Sequence, residues 1–143
     1  MDIEVKYKKL DPNLPDLAYQ TAGAVAFDVP VAEVVTIEPG ETKFVKCGYI
    51  ICPPEGHMIM LAPRGSNSKK QIAMPHSVGI FDQDFCGPED EWRMPLRNIG
   101  TEPYTTEFGE RLGQGIVIPI KRANFSEIGE FDDPTRGGFG TTG

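Results

Sequence analysis

Clusters of glycine and proline break this 143-residue chain about every eight to twelve residues, and that punctuation constrains the fold more than any other feature. Proline inside a helix deletes a backbone hydrogen bond and clashes with the preceding turn, and glycine costs a helix about 1 kcal/mol relative to alanine. Sixteen Gly and thirteen Pro so distributed leave no room for a long helix. The stretches between them are rich in Val, Ile, Thr, Phe and Tyr, which suit a pleated, half-buried surface. The expected fold class is therefore all-β, with short antiparallel strands in a sandwich or barrel. Strands are expected over residues 3–8, 34–37, 43–52, 57–61, 91–98, 112–120 and 124–128. Glu38-Pro39-Gly40-Glu41, Pro53-Pro54-Glu55-Gly56 and Phe108-Gly109-Glu110 supply turns between them, and residues 67–71 allow one short turn of helix.

A chain of this length holds one core, so one function is sought. The 39% hydrophobic and 24% charged residues are ordinary for a globular protein, and no apolar run approaches the ~20 residues of a membrane span. The opening MDIEVKYKKL is charged throughout and lacks the apolar region of a signal peptide, so a cytoplasmic protein is expected. Cys47, Cys52 and Cys86 form no CxxC pair and no zinc-finger spacing with His, and all three are expected to be reduced thiols. A net charge of −7 argues against a nucleic-acid surface, which needs clustered Lys and Arg. It leaves room for a small anion held by a local group of basic side chains and backbone N–H groups, helped by a divalent cation.

Two stretches invite a chemical reading. Asp82 follows the apolar pair Ile80-Phe81, where a carboxylate at a strand end can hold and polarise water; the plain alternative is a turn Asp capping local N–H groups. The closing residues, DDPTRGGFGTTG, are too rich in glycine to build a core. They read either as a frayed terminus or as a mobile arm whose N–H groups and single Arg wrap an anion. The aromatic Phe139 favours the arm, because an exposed ring on such a tail gains from stacking on something.

Five segments, in order, carry a resemblance. They are Gly23-Ala24-Val25-Ala26-Phe27-Asp28, Pro63-Arg64-Gly65-Ser66, Gly79-Ile80-Phe81-Asp82-Gln83-Asp84-Phe85-Cys86-Gly87, Gly109-Glu110-Arg111-Leu112-Gly113-Gln114 and Arg136-Gly137-Gly138-Phe139-Gly140-Thr141-Thr142-Gly143. Together they resemble the five motifs of the trimeric dUTPase family. The resemblance implies a distorted jelly-roll barrel, with residues 1–131 as the catalytic β-barrel and 132–143 as a mobile Gly-rich arm closing over the substrate. It implies hydrolysis of dUTP to dUMP and pyrophosphate, which keeps uracil out of DNA and supplies dUMP for dTMP synthesis.

The resemblance also distributes roles. Asp82 becomes the general base that aims water at the α-phosphate. Phe85 stands where the family usually has Tyr, against the deoxyribose, and keeps the ring that excludes a 2′-hydroxyl. His76 falls where many members carry an Asn that reads the uracil edge beside Gly79, a role its one donor and one acceptor allow, although a surface His is the alternative. Arg64 and Ser66 meet phosphate oxygens, with Gly65 and Ser66 inverted relative to the family order. Gln114 is a neutral phosphate ligand, and Asp28 supports the site. In the arm Arg136 contacts the γ-phosphate, two residues nearer the aromatic than in most members. Gly138 and its neighbours close over the triphosphate, and Phe139 stacks on uracil. The implied cofactor is Mg²⁺ bridging the phosphates, carried in by the substrate because no protein cage is evident. The implied assembly is a homotrimer with shared active sites.

Two rivals stand beside this reading. The related dCTP deaminase, alone or bifunctional, needs a Glu in the strand after the third motif, and Pro95 occupies that position. A non-catalytic nucleotide-binding regulatory module fits the departures at Gly65-Ser66, Phe85 and Arg136, but does not need the carboxylate of Asp82.

Overall fold

The computed structural model describes residues 2–141. Among the described residues, eleven short strands form four small antiparallel sheets. The largest pairs β2 (Phe27–Pro30), β11 (Arg111–Pro119), β6 (His57–Pro63) and β8 (Gly79–Phe81) in that order. A second pairs β4 (Thr42–Lys46), β9 (Arg93–Asn98) and β7 (Ile72–Ala73). Two ribbons complete the set: β1 (Lys6–Lys9) with β5 (Tyr49–Cys52), and β10 (Tyr104–Thr105) with β3 (Thr36–Ile37). A 3-10 helix, Gly65–Lys70, is the one helical element among the described residues, and Gln71 in the left-handed region (φ 54°) ends it. No described helix is long and apolar enough to cross a membrane.

The sheets enclose a core that includes Trp92, Tyr49, Ile37, Ile51, Ile59, Leu61, Met94 and Leu96. Several of its buried polar groups find partners close by, while Trp92 Nε1 and Asn67 Oδ1 are buried without one. The Tyr49 hydroxyl donates to the Pro15 carbonyl at 2.7 Å, and Thr106 donates to Glu33 O at 2.7 Å while accepting from Val35 N at 3.0 Å.

Three expectations are corrected. The single strand over 43–52 is two strands, because Cys47-Gly48 breaks the run with Gly48 at φ 77°. A side chain at Gly48 would also collide with Ala32 and Leu14, so the bend is packed as well as turned. Residues 124–128 form no strand, since regular structure ends at Pro119 and no free sheet edge of the same chain receives them. Phe125, 95% exposed, therefore projects from an extended segment together with Ile128 and Phe131. The segment Phe27–Pro30, expected only as part of a motif, is a strand.

Strand β11 is the spine of the larger sheet, and its alternation sets one side of the site. Gly113 and Gly115 turn inward, where a methyl group on either would overlap Met94 or the Phe27 ring respectively. Gln114 between them faces the opposite way, opposite Asp28 on β2 and Ala62 on β6.

Candidate active site

The sheet gathers the first, second and fourth segments at one end of β6. Asp28 is mostly buried, its side chain 15% exposed, and sits between two guanidinium groups. Arg64 Nε lies 3.2 Å from Asp28 Oδ1, and Arg111 Nη1 lies 3.4 Å from Oδ2. Desolvated carboxylates need such partners, and here the pairing also aims the arginines. The Gln114 amide donates to the Pro63 carbonyl at 3.1 Å, fixing the chain just before Arg64.

A register shift between Arg111 and Gly113 prepares this corner. Such a bulge leaves a residue unpaired in the ladder, here Leu112, whose carbonyl accepts the Asn67 side-chain N–H at 2.6 Å and the Arg64 backbone N–H at 3.4 Å. The buried Asn67 thereby pins the 3-10 helix onto β11 and leaves Ser66 exposed beside it. Arg111 and Asn67 were not singled out in the sequence; the alternation around Gln114 contained the signal, but only the bulge reveals its use.

Behind the corner, Glu110 accepts from Lys70 Nζ at 2.8 Å and from the Tyr104 hydroxyl. Burial opposes its charge, yet the hydrogen bonds from Lys70 and Tyr104 outweigh burial and hold its carboxyl below the ordinary value of 4.5. The same contact, after burial, pushes the Tyr104 hydroxyl up.

The third segment forms a second group. Gly79 is buried opposite Leu61, and a side chain there would crowd Leu61 Cβ and Phe81 at 3.3 Å, with His76 Nε2 at 3.5 Å. His76 thus lies against Gly79 on an exposed bend, with Ser77 held at φ 70°. Phe81 stacks face to face on Trp92, centroids 3.6 Å apart, and Phe85 leans on Phe81 at 5.7 Å. The aromatic stack roots the turn from Asp82 to Phe85, closed by Phe85 N donating to Asp82 O at 3.1 Å. Asp82 is exposed at the head of that turn, and Phe85 keeps part of its ring at the surface.

Within one chain the two groups do not meet. Ile59 faces Phe81 in the β6–β8 register, so Asp82 continues toward Met58, whereas Arg64 follows Pro63 at the opposite end of β6. Six residues of strand separate those levels by roughly 20 Å. The described part of the fifth segment, up to Thr141, makes no hydrogen bond or ion pair with either group. Arg136 and Phe139 are exposed, and the local turn is held by Thr141 N donating to Gly138 O at 3.0 Å and Gly138 N donating to Thr141 Oγ1 at 2.8 Å. Phe139 occupies the left-handed region at φ 50°. Thr142 and Gly143 of this segment lie outside the described residues.

A model of the dUTPase family matches residues 13–143. The chain belongs to the dUTPase family. It is 36% identical to the deoxyuridine 5'-triphosphate nucleotidohydrolase of Neisseria gonorrhoeae (strain NCCP11945) over 151 residues, covering 100% of this chain and 99% of the relative. It is equally 36% identical to the enzyme of that name from Hahella chejuensis over 147 residues, covering 99% and 95%. The fold superposes on the dUTPase from Streptococcus mutans with a TM-score of 0.75 at 27% identity, over 83% of this chain and 98% of that one. A Staphylococcus phage 80alpha dUTPase gives 0.85 at 21% identity, over 98% and 99%, a likeness of fold. For the dUTPase of phage phi11 of S. aureus, at 0.81 and 18% identity over 92% and 100%, coordination of a structural Mg(II) ion is described.

Among the described residues no three His, Cys, Asp or Glu side chains converge on a cation. Asp28, the acid nearest the Arg64 corner, is committed to two guanidiniums. Within one chain, the donor set at this corner therefore offers no carboxylate cluster to hold a magnesium ion.

Proposed function

We propose that this chain hydrolyses dUTP to dUMP and pyrophosphate, so limiting uracil in DNA and providing dUMP for dTMP synthesis. The full-length match to dUTP nucleotidohydrolases carries the reading, and the exposed carboxylate of Asp82 on its rooted turn supports it. Asp82 accepts a proton from water and aims its oxygen at the α-phosphorus; pyrophosphate leaves in line. Arg64 and Ser66 take phosphate oxygens, Gln114 and Asp28 hold that corner, and the arginine charge offsets what builds up on the leaving group. His76 and Gly79 receive the uracil edge, and Phe85 fills the space a 2′-hydroxyl would need. Residues 132–143 act as an arm on the 1–131 barrel, with Arg136 and Gly138 over the phosphates and Phe139 over the base. The substrate is the magnesium complex of dUTP, the ion riding on phosphate and water. The three unpaired thiols agree with a cytoplasmic setting.

The separation of roughly 20 Å along β6 supports a homotrimer in which one copy supplies Arg64 and another Asp82. The exposed Phe125, Ile128 and Phe131 agree with this, as does an open groove of about 810 Å³ whose lining includes Val5, Tyr7, Tyr19 and Phe27, since both leave apolar surface for a neighbour. Deamination on the same fold is disfavoured, because Pro95 is buried in β9 opposite Phe44 and has no proton to transfer.

The test has two arms. Asp82→Asn is expected to abolish pyrophosphate release from dUTP while nucleotide binding persists; an inactive wild type that still binds nucleotide would instead favour a regulatory module. Asp82→Asn and Arg64→Ala chains, each inactive alone, are expected to regain about a quarter of wild-type activity when refolded together, since each mixed ring of three has one intact site. Sites contained within single chains would regain nothing.

A further inference from the structure

We propose that Cys52 and Cys86 form a thiol–disulfide exchange site, taking a low-molecular-weight disulfide as co-reactant and cross-linking the Asp82 turn to the end of β5. The site lies next to the catalytic reading but does not depend on it.

Residues 53–85 separate the two cysteines, and the fold brings them together from both sides. Trp92 N donates to Tyr49 O at 2.8 Å, holding the chain after Cys86 along β5. A turn then folds it back: Gly87 N donates to Asp90 Oδ2 at 2.7 Å, and Asp90 N donates to Gly87 O at 3.1 Å. From the other side, Gly56 N donates to Gln83 Oε1 at 2.6 Å, tying the Asp82 turn to the turn between β5 and β6. The Cys86 thiol rests 4.0 Å from Gln83 O and adjoins Cys52. Both are partly exposed, unlike the buried Cys47, so a small disulfide can reach them.

The environment orders the steps. Burial first, and Cys86 beside it second, push the Cys52 thiol up to about 11, which disfavours it as the opening nucleophile and leaves that step to the other partly exposed thiol, Cys86. Its thiolate attacks one sulfur of R–S–S–R, forming a mixed disulfide and releasing one RS⁻. That bond removes the neighbouring thiol that disfavours ionisation of Cys52. Cys52 then loses its proton to solvent and attacks Cys86 Sγ, expelling the second RS⁻. Two protein thiols are oxidised, and one small disulfide is reduced to two thiols. In a reducing compartment such bonds are transient and redox-responsive rather than structural.

The full chain is incubated with excess oxidised glutathione, freed of reagent, alkylated and mapped by peptide mass. The expected product has lost two of its three free thiols. It carries no glutathione, contains a Cys52–Cys86 linked fragment within one chain, and is restored by dithiothreitol. Its thermal midpoint rises on the order of 10–15 °C over the reduced form, as closing a loop of this length predicts. Cys52→Ser is expected to retain one glutathione on Cys86 and show no rise. Stable glutathione adducts on the wild type, linkage between chains, or three thiols still free would each overturn the proposal.

Discussion

The Asp28 carboxylate ties the fold to the arginines that the proposed function assigns to nucleotide binding, and Asp28→Asn probes it with little change in shape. The substituted amide offers its oxygen to one guanidinium and must turn its NH₂ toward the other. A hydrogen bond to a charged group contributes about 1.5–3 kcal/mol. The Arg64 side chain is 34% exposed, which places its contact with Asp28 near the lower end, about 1.5 kcal/mol. Arg111 is 51% exposed, and its contact falls into the range of about 0–1 kcal/mol typical of surface pairs. The sum is about 2 kcal/mol of folding stability, or roughly 5–8 °C in melting temperature for a chain of this size. If half of that loss reappears as freedom of Arg64, kcat/KM for dUTP falls on the order of five- to tenfold. Differential scanning fluorimetry and coupled pyrophosphate release measure the two effects separately. A melting temperature shifted by less than about 1 °C, together with kcat/KM within about twofold of wild type, would show that Asp28 neither holds the corner nor aims Arg64.

Other perturbations address the remaining parts. Deleting residues 132–143 is expected to leave an assembled barrel whose turnover collapses, and unchanged turnover would end the idea of a closing arm. Phe85→Ala is expected to admit UTP, measured as the dUTP/UTP ratio of kcat/KM; an unaltered ratio would locate sugar discrimination elsewhere. Gly115→Ala pushes a methyl group into the Phe27 ring and is expected to cost about 1–3 kcal/mol in urea denaturation, with no cost if β11 is not packed as described. Because its folded pKa is depressed, Glu110 contributes stability that is complete above about pH 4.5 and is lost as pH falls through its lower folded value. Lys70→Met is expected to be less stable at neutral pH and to lose less further stability on acidification; an acid profile parallel to the wild type would contradict that assignment.

Punctuation and composition were enough to read the fold class, because the clusters of Gly and Pro exclude helices and alternation within the rest specifies faces. They were not enough to read boundaries. Cys47-Gly48 looked like the middle of one long β run, and only the positive φ at Gly48 shows two strands meeting there. Residues 124–128 have strand composition, but a strand also needs an edge to pair with, which no local pattern encodes. Of the candidate site residues, Asp28, Arg64 and Gln114 share one corner of the larger sheet. Arg111 and Asn67 escaped notice because their importance comes from a bulge, a feature of two strands in register rather than of either sequence.

The separation of Asp82 from Arg64 follows from the same strand arithmetic. Antiparallel pairing of β6 with β8 sends the chain after Phe81 back toward His57, so the carboxylate must leave the sheet at the end opposite the guanidinium. No side-chain rearrangement within one chain closes roughly 20 Å of strand. On the proposed function, a water-activating acid and a phosphate-binding arginine on these two ends become partners only across a rotation axis. The apolar residues beyond Pro119 then gain a purpose in the same step, as surface that one chain has no means to cover. Complementation between Asp82→Asn and Arg64→Ala chains accordingly probes the sheet register as directly as it probes the chemistry.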